Sequence, residues 1–155
     1  MTVTMGPAAW SSYNVNGQTL EDVVAALEGS DEAGSTDWHG STYTSHHGDD
    51  GQVTSVDVQV HITVSMPHWV ERDQAPHAEQ AEWDRFLAAL HAHEQGHIDL
   101  VHTYLQHIDG HMVQLDEAAA AQVWADTFGN LQAASDQYDT ANGHGTTAGT
   151  TITLP

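Results

Sequence analysis

Apolar and polar residues alternate strictly along one segment near the middle of the chain. Single polar residues separate its apolar positions, which are Val56, Val58, Val60, Ile62, Val64 and Met66. A period of two is typical of a β-strand with one buried face and one polar face. Pro67 comes next and has no backbone N–H, so we predict one continuous strand that ends there.

A period of three and four residues follows, between Pro76 and Gly110. Its apolar positions are Trp83, Phe86, Leu87, Leu90, Val101, Leu105 and Ile108. This spacing is typical of an amphipathic helix. Proline favours a first helical turn and glycine favours a stop, so we predict a long helix between these two residues. A second long helix is predicted from about Met112, with a bend or break at Gly129.

Shorter elements precede the long strand. The segment WSSYNVNG predicts a strand, and TDWHGSTYTS predicts another. Between them, Thr19 and Asp22 have the spacing of a capping box and Gly29 favours a stop, which predicts a short helix. Strand and helix pieces therefore come first and two long helices follow. This order indicates an α+β fold, in which a small N-terminal sheet and a short helix pack on two long helices.

The length and composition restrict the function further. A chain of 155 residues fits one domain, residues 1–155. With 2 basic and 22 acidic residues the formal net charge is −20, which disfavours nucleic acid and anionic membranes as partners. Such a charge favours solubility and attracts metal cations. There is no cysteine, so metal ligands must be histidine or carboxylate.

The motif HEQGH, formed by His93, Glu94 and His97, lies within the first long helix. In a chain with 13 histidines, a chance match has a probability of roughly one in twenty, so the context of the motif matters. His93 and His97 lie one helical turn apart, and all three side chains fall on or beside the apolar stripe. Inward-facing polar groups need partners, which a metal ion would supply. The alternative is a helix whose buried histidines bond to neighbouring side chains.

The same three residues fit the chemistry of a hydrolytic zinc site. Two neutral imidazoles and one further ligand leave a coordination position of Zn²⁺ open for water. Glu94 could then accept the proton of that water as general base. The residues leave three candidates for the third ligand. Glu117 lies 20 positions beyond His97, whereas His144, between two glycines, and Asp139 lie in the region predicted as the C-terminal loop.

The chain resembles a bacterial family over nearly its whole length. The segments that carry the resemblance are YNVNGQTLEDVVAAL, TDWHGSTY, VDVQVHITVSMPHW, WDRFLAALHAHEQGHIDL and YDTANGHG. The family is domain of unknown function nine-two-two, and the resemblance implies a secreted zinc-dependent protease of the HExxH type. The resemblance implies a zincin-like domain and a secreted location, although the sequence has no recognisable signal peptide.

The resemblance also implies roles for individual residues. His93 and His97 would be zinc ligands and Glu94 the catalytic base. His144 becomes the preferred third ligand, ahead of Glu117 and Asp139. Tyr138 would either donate a hydrogen bond to a developing oxyanion or serve as a core aromatic at a helix end.

Three functions are compatible with these features. The favoured one is a zinc metallopeptidase that acts on a peptide or protein substrate, with the long strand Val56–Met66 offering an edge for that substrate. The second is a secreted zinc-binding or zinc-scavenging protein without turnover, which predicts several metal equivalents and a dispensable Glu94. The third is a structural acidic domain that binds no specific metal. The sequence indicates no particular oligomeric state.

Overall fold

The computed structural model describes residues 2–29, 32–143 and 149–155. Their order of elements is β1 (Thr2–Met5), β2 (Ala9–Val15), α1 (Leu20–Leu27), β3 (Ser35–Asp37), β4 (Thr42–His47), β5 (Val53–Val60), β6 (Thr63–Trp69), α2 (His77–Leu105), α3 (Ile108–Met112) and α4 (Glu117–Ala141). A 3₁₀ turn, Arg72–Gln74, precedes α2. The α+β class predicted from the sequence is confirmed.

The strands form two three-stranded sheets. In the first, β5 lies between β1 and β4, parallel to β1 and antiparallel to β4. In the second, β6 lies between β2 and β3 and runs parallel to β2. Among the described helices, none combines the length and the apolar character needed to cross a membrane.

The described residues fall into two compact units, each with one sheet. One unit contains positions 2–8, 37–62 and 97–137. Its core is formed by the apolar face of β5 and by α3, which packs against that strand. Backbone hydrogen bonds of 2.8 Å also join Val53 at the start of β5 to Gln114 and Leu115.

The other unit contains positions 9–29, 32–36, 63–96, 138–143 and 149–155. An aromatic cluster forms the centre of its core. Trp83 packs edge-on against Trp69 with ring centroids 5.8 Å apart, and Phe86 lies 5.3 Å from Trp83. The indole N–H of Trp69 donates to the carbonyl of Gly17 at 2.7 Å. These contacts anchor the first half of α2, which leads into the HEQGH motif.

The long predicted strand is interrupted, which corrects the sequence prediction. His61 and Ile62 separate β5 from β6, and the two strands belong to different sheets. The Ser41 hydroxyl accepts a hydrogen bond from the His61 N–H at 3.0 Å and donates to its carbonyl at 3.4 Å. A side chain thus satisfies backbone groups that leave the strand ladder at this break.

The burial pattern of that segment is nevertheless as predicted. Every second residue from Val56 to Met66 is buried on both sides of the break. The second part also extends beyond Pro67 and ends at Trp69. Periodicity therefore predicts which residues are buried, whereas the strand ends depend on partners elsewhere in the chain.

The predicted helices are present, with different ends. Thr19 and Asp22 form a capping box at α1, as expected. Helix α2 ends at Leu105, before Gly110, and the predicted start of the second long helix at Met112 is also wrong, because Met112 belongs to the short α3. The Asp116 carboxylate accepts from the N–H of Ala119 at 2.8 Å, which caps α4 at its observed start. Helix α4 continues without interruption through Gly129.

A network of ionic hydrogen bonds holds the C-terminal segment. Arg85 donates to the carbonyl of Gly149 at 2.7 Å and to that of Thr151 at 2.6 Å. Glu82 contacts Arg85 at 2.8 Å and accepts from the N–H of Thr153 at 2.7 Å. These bonds lower the pKa of Glu82 from its ordinary value of 4.5 to about 2, with Arg85 as the largest cause.

We expect acid to release this C-terminal segment. Because the folded-state pKa of Glu82 is lowered, its stabilising contribution is complete above pH 4.5 and is lost as the pH falls through about 2. The pH dependence of the Thr153 amide resonance in NMR measures this transition. A Glu82→Gln variant should lack the step, and a parent midpoint near pH 4.5 would contradict the prediction.

Candidate metal centre

The three motif residues on α2 are buried, as the apolar stripe predicts. His93, Glu94 and His97 are 7%, 2% and 6% exposed. Leu90 and Val101, at the centre of the stripe, are buried as well. Buried polar groups on an otherwise apolar helix face require bonding partners, so their neighbours define the site.

Helix α4 supplies a carboxylate for a group that could hold a metal ion. His93, His97 and Asp139 each offer one ligand atom, and the three atoms lie within 4.8 Å of one another. Both histidines are buried and Asp139 is partly buried. The group combines two imidazoles and one carboxylate, which are ordinary ligands of transition metals such as zinc.

His93 and Asp139 are joined by a hydrogen bond whose two atoms are close enough to bind one ion together. His93 Nε2 lies 3.0 Å from Asp139 Oδ1. For zinc bonds of about 2.0–2.2 Å, two ligand atoms of a tetrahedral site are separated by roughly 3.4 Å. A small adjustment would therefore bring both atoms onto the same ion.

Ser135 orients the ring of His97. Its hydroxyl lies 2.9 Å from His97 Nδ1 in a buried environment. This hydrogen bond orients the imidazole and engages Nδ1, so a metal would be bound through Nε2. Ser135 and Asp139 lie one turn apart on α4, so both face the histidines of α2. Ser135 was not identified from the sequence.

The Glu94 carboxylate is held beside the edge of a sheet. The Thr36 hydroxyl on β3 donates to Glu94 Oε2 at 2.7 Å. Gly34 precedes this strand, and a Cβ at that position would lie only 2.7 Å from Glu94 Oε1. Burial raises the pKa of Glu94, although the Thr36 hydrogen bond and nearby His93 oppose that shift. Glu94 is therefore a desolvated carboxyl group with increased proton affinity.

Glu94 opens onto a small cavity of about 160 Å³. The cavity is lined by Glu32, Ala33, Gly34, Leu90, His93, Glu94, Asp139 and Thr150. At about 30 Å³ for each water molecule in the liquid, it has room for a few waters or a small chemical group. Two candidate metal ligands, His93 and Asp139, and the Glu94 carboxyl group therefore line one cavity.

Gly96 of the motif allows an aromatic residue to approach His93. The Tyr138 ring stacks on the His93 ring with centroids 5.0 Å apart and planes inclined by 23°. A Cβ at Gly96 would overlap the Tyr138 hydroxyl and ring. Tyr138 therefore helps to fix the orientation of His93.

A family comparison agrees with the resemblance inferred from the motifs. Residues 10–145 match the model described as "Bacterial protein of unknown function (DUF922)". The chain belongs to this family. A search of the curated proteins and a search of the solved structures each found no significant match.

The three candidates for a third ligand in this DUF922 chain differ in where the structure places them. Glu117 accepts a hydrogen bond from Ser45 and contacts His47 Nε2, both at 2.8 Å, and it is not part of the group around His93. His144 lies outside the described residues. Asp139 was predicted in a loop but belongs to α4.

Proposed function

We propose that this DUF922 chain is a zinc-dependent peptidase that hydrolyses peptide bonds with Glu94 as general base. One observation carries the proposal. The buried carboxylate of Glu94 lines the same cavity as two candidate metal ligands, His93 and Asp139. A buried structural carboxylate would need no such cavity.

The available donor atoms fit zinc. Imidazole nitrogens from His93 and His97 and a carboxylate oxygen from Asp139 make three protein ligands, the number found in catalytic zinc sites. Bound Zn²⁺ would polarise a carbonyl group and lower the pKa of a coordinated water. His144 stays a prediction as third ligand, and Asp139 is supported by its distance to His93.

Glu94 has the properties that the proton transfers of hydrolysis require. It would take one proton from the attacking water as the new C–O bond forms. It would then give that proton to the departing nitrogen as the C–N bond breaks. Burial favours its protonated form, which strengthens it as a base. The Thr36 hydroxyl, which donates to Glu94 Oε2, would help to orient the carboxylate for both transfers.

The second sheet suggests where an extended substrate lies. The long-strand hypothesis placed it along Val56–Met66, but β5 and β6 are each the middle strand of a sheet. In contrast, β3 ends the order β2-β6-β3 and carries Thr36, which contacts Glu94. We therefore propose β3 as the zincin-like edge strand along which the peptide backbone binds. Secretion rests on the family resemblance alone.

Removal of the metal provides the direct test. Dialysis against a chelator is expected to abolish hydrolysis of an unstructured protein such as casein, and one equivalent of Zn²⁺ is expected to restore it. The reason is that the proposed site has one set of ligands, His93, His97 and Asp139. Mass spectrometry of the products and a zinc titration would be recorded together.

The results also separate the proposed peptidase from its main alternative. Binding of several zinc equivalents without cleavage would favour zinc capture. Hydrolysis that survives complete removal of metal would contradict the peptidase mechanism. A Ca²⁺ addition at the same concentration controls for a general effect of divalent cations on this acidic chain.

A further inference from the structure

An apolar groove of about 310 Å³ adjoins the cavity of the candidate active site. It is lined by Val24, Leu27, Glu28, Ala33, Phe86, Thr150, Thr151 and Ile152. Two of these residues, Ala33 and Thr150, also line the cavity that contains Glu94. The groove therefore lies next to the cavity in which the proposed reaction takes place.

The walls of the groove come from three parts of one unit. Val24 and Leu27 are half-buried residues of α1, and Phe86 is a buried residue of α2. The third wall is the C-terminal segment with Ile152. Polar atoms contribute little to this lining, so the groove favours an apolar occupant over a charged one.

The C-terminal wall is fixed by one of the two basic residues of the protein. Arg85 donates to the carbonyls of Gly149 and Thr151, on either side of Thr150. Hydrogen bonds from a guanidinium are charge-assisted and therefore strong. Thr150, which lines both spaces, is thus held at the junction between them.

We infer that this groove binds one bulky apolar side chain of the substrate, such as Phe or Leu, next to the cleaved peptide bond. The inference rests on the proposed peptidase function. An apolar cavity of about 150 Å³ is large enough to hold benzene, so 310 Å³ accommodates an aromatic or branched side chain. Glu28 and Glu32 near the two spaces disfavour an acidic side chain.

Cleavage of matched peptides tests the specificity. The probes are unstructured peptides of Ala, Ser and Gly that carry a single Phe, Leu, Ala or Glu at the centre. We expect kcat/KM for the Phe and Leu peptides to exceed that for the Ala and Glu peptides by about 10- to 100-fold, with cleavage at a bond of the central residue. Equal values for all four would overturn the inference.

A substitution that fills the groove tests whether the groove causes the preference for an apolar side chain. Val24→Phe places a ring in the groove and should reduce the preference for Phe over Ala by about 10-fold or more, because the filled groove no longer admits the side chain of the substrate. Ala25→Phe adds the same ring at an exposed position of α1 and should leave the preference intact. An unchanged preference in Val24→Phe would overturn the inference.

Peptide binding separates this inference from the proposed function. In ¹⁵N NMR, the central-Phe peptide should shift amide resonances of Val24, Leu27 and Ile152 in a Glu94→Gln protein, and the central-Glu peptide should not. These shifts without cleavage by the parent would support the groove and contradict the peptidase. Cleavage with shifts confined to other residues would support the peptidase and contradict the groove.

Discussion

Replacing Glu94 by Gln is expected to lower kcat for peptide hydrolysis by about 10²–10⁴-fold, the usual contribution of a positioned general acid–base group. Glutamine has nearly the same shape and can still accept the hydrogen bond from Thr36, so the local structure should be kept. It cannot accept the proton of an attacking water. The loss should therefore appear in kcat, with zinc affinity nearly unchanged.

The measurement is steady-state hydrolysis of a quenched-fluorescence peptide with zinc supplied, together with a zinc titration of both proteins. Asp99→Asn is the matched control, because it neutralises an exposed carboxylate of the same helix. We expect that control to retain full activity. Equal kcat for the parent and the Glu94→Gln variant would exclude Glu94 as the base.

Replacing Asp139 by Ala is expected to weaken zinc binding by more than about 100-fold, beyond the 10–100-fold typical of a residue that only supports a ligand. The reason is that Asp139 offers a ligand atom within 4.8 Å of those of His93 and His97. If Asp139 only oriented His93, the loss would stay within the smaller range. The magnitude therefore distinguishes a ligand from a supporting residue.

His144→Ala is compared in the same titration, because the family resemblance favours that residue as the third ligand. A zinc affinity that falls more in His144→Ala than in Asp139→Ala would identify His144 as the ligand and contradict the assignment of Asp139. Asp136→Ala serves as the control, since Asp136 is an exposed carboxylate of the same helix. Competition with a chromophoric chelator measures each dissociation constant.

The residues of the HEQGH motif show how much of the site the sequence predicts. The i and i+4 spacing predicted that His93 and His97 share one face of a helix, and burial of the surrounding apolar stripe confirmed that this face points inward. Glu94 also lies inward, as predicted. These are consequences of one helix and its period, so local sequence is sufficient to derive them.

Partners distant in the chain could not be derived in this way. Asp139 is 46 residues from His93, and Thr36 is 58 residues from Glu94. No local period connects such positions, and the sequence left Glu117, His144 and Asp139 open as third ligands. In the structure, α4 places the Asp139 carboxylate beside His93, and Glu117 is not part of that group.

The sequence by itself determined the α+β class, the capping box of α1, the alternating burial from Val56 to Met66 and the helical HEQGH motif. Each depends on interactions within a few residues. Only the tertiary structure decided that Ser41 bonds to the backbone at the strand break, that Thr36 holds Glu94 and that Arg85 fixes one wall of an apolar groove. These features arise from packing between distant segments, where the energy of a contact depends on positions that the local pattern does not encode.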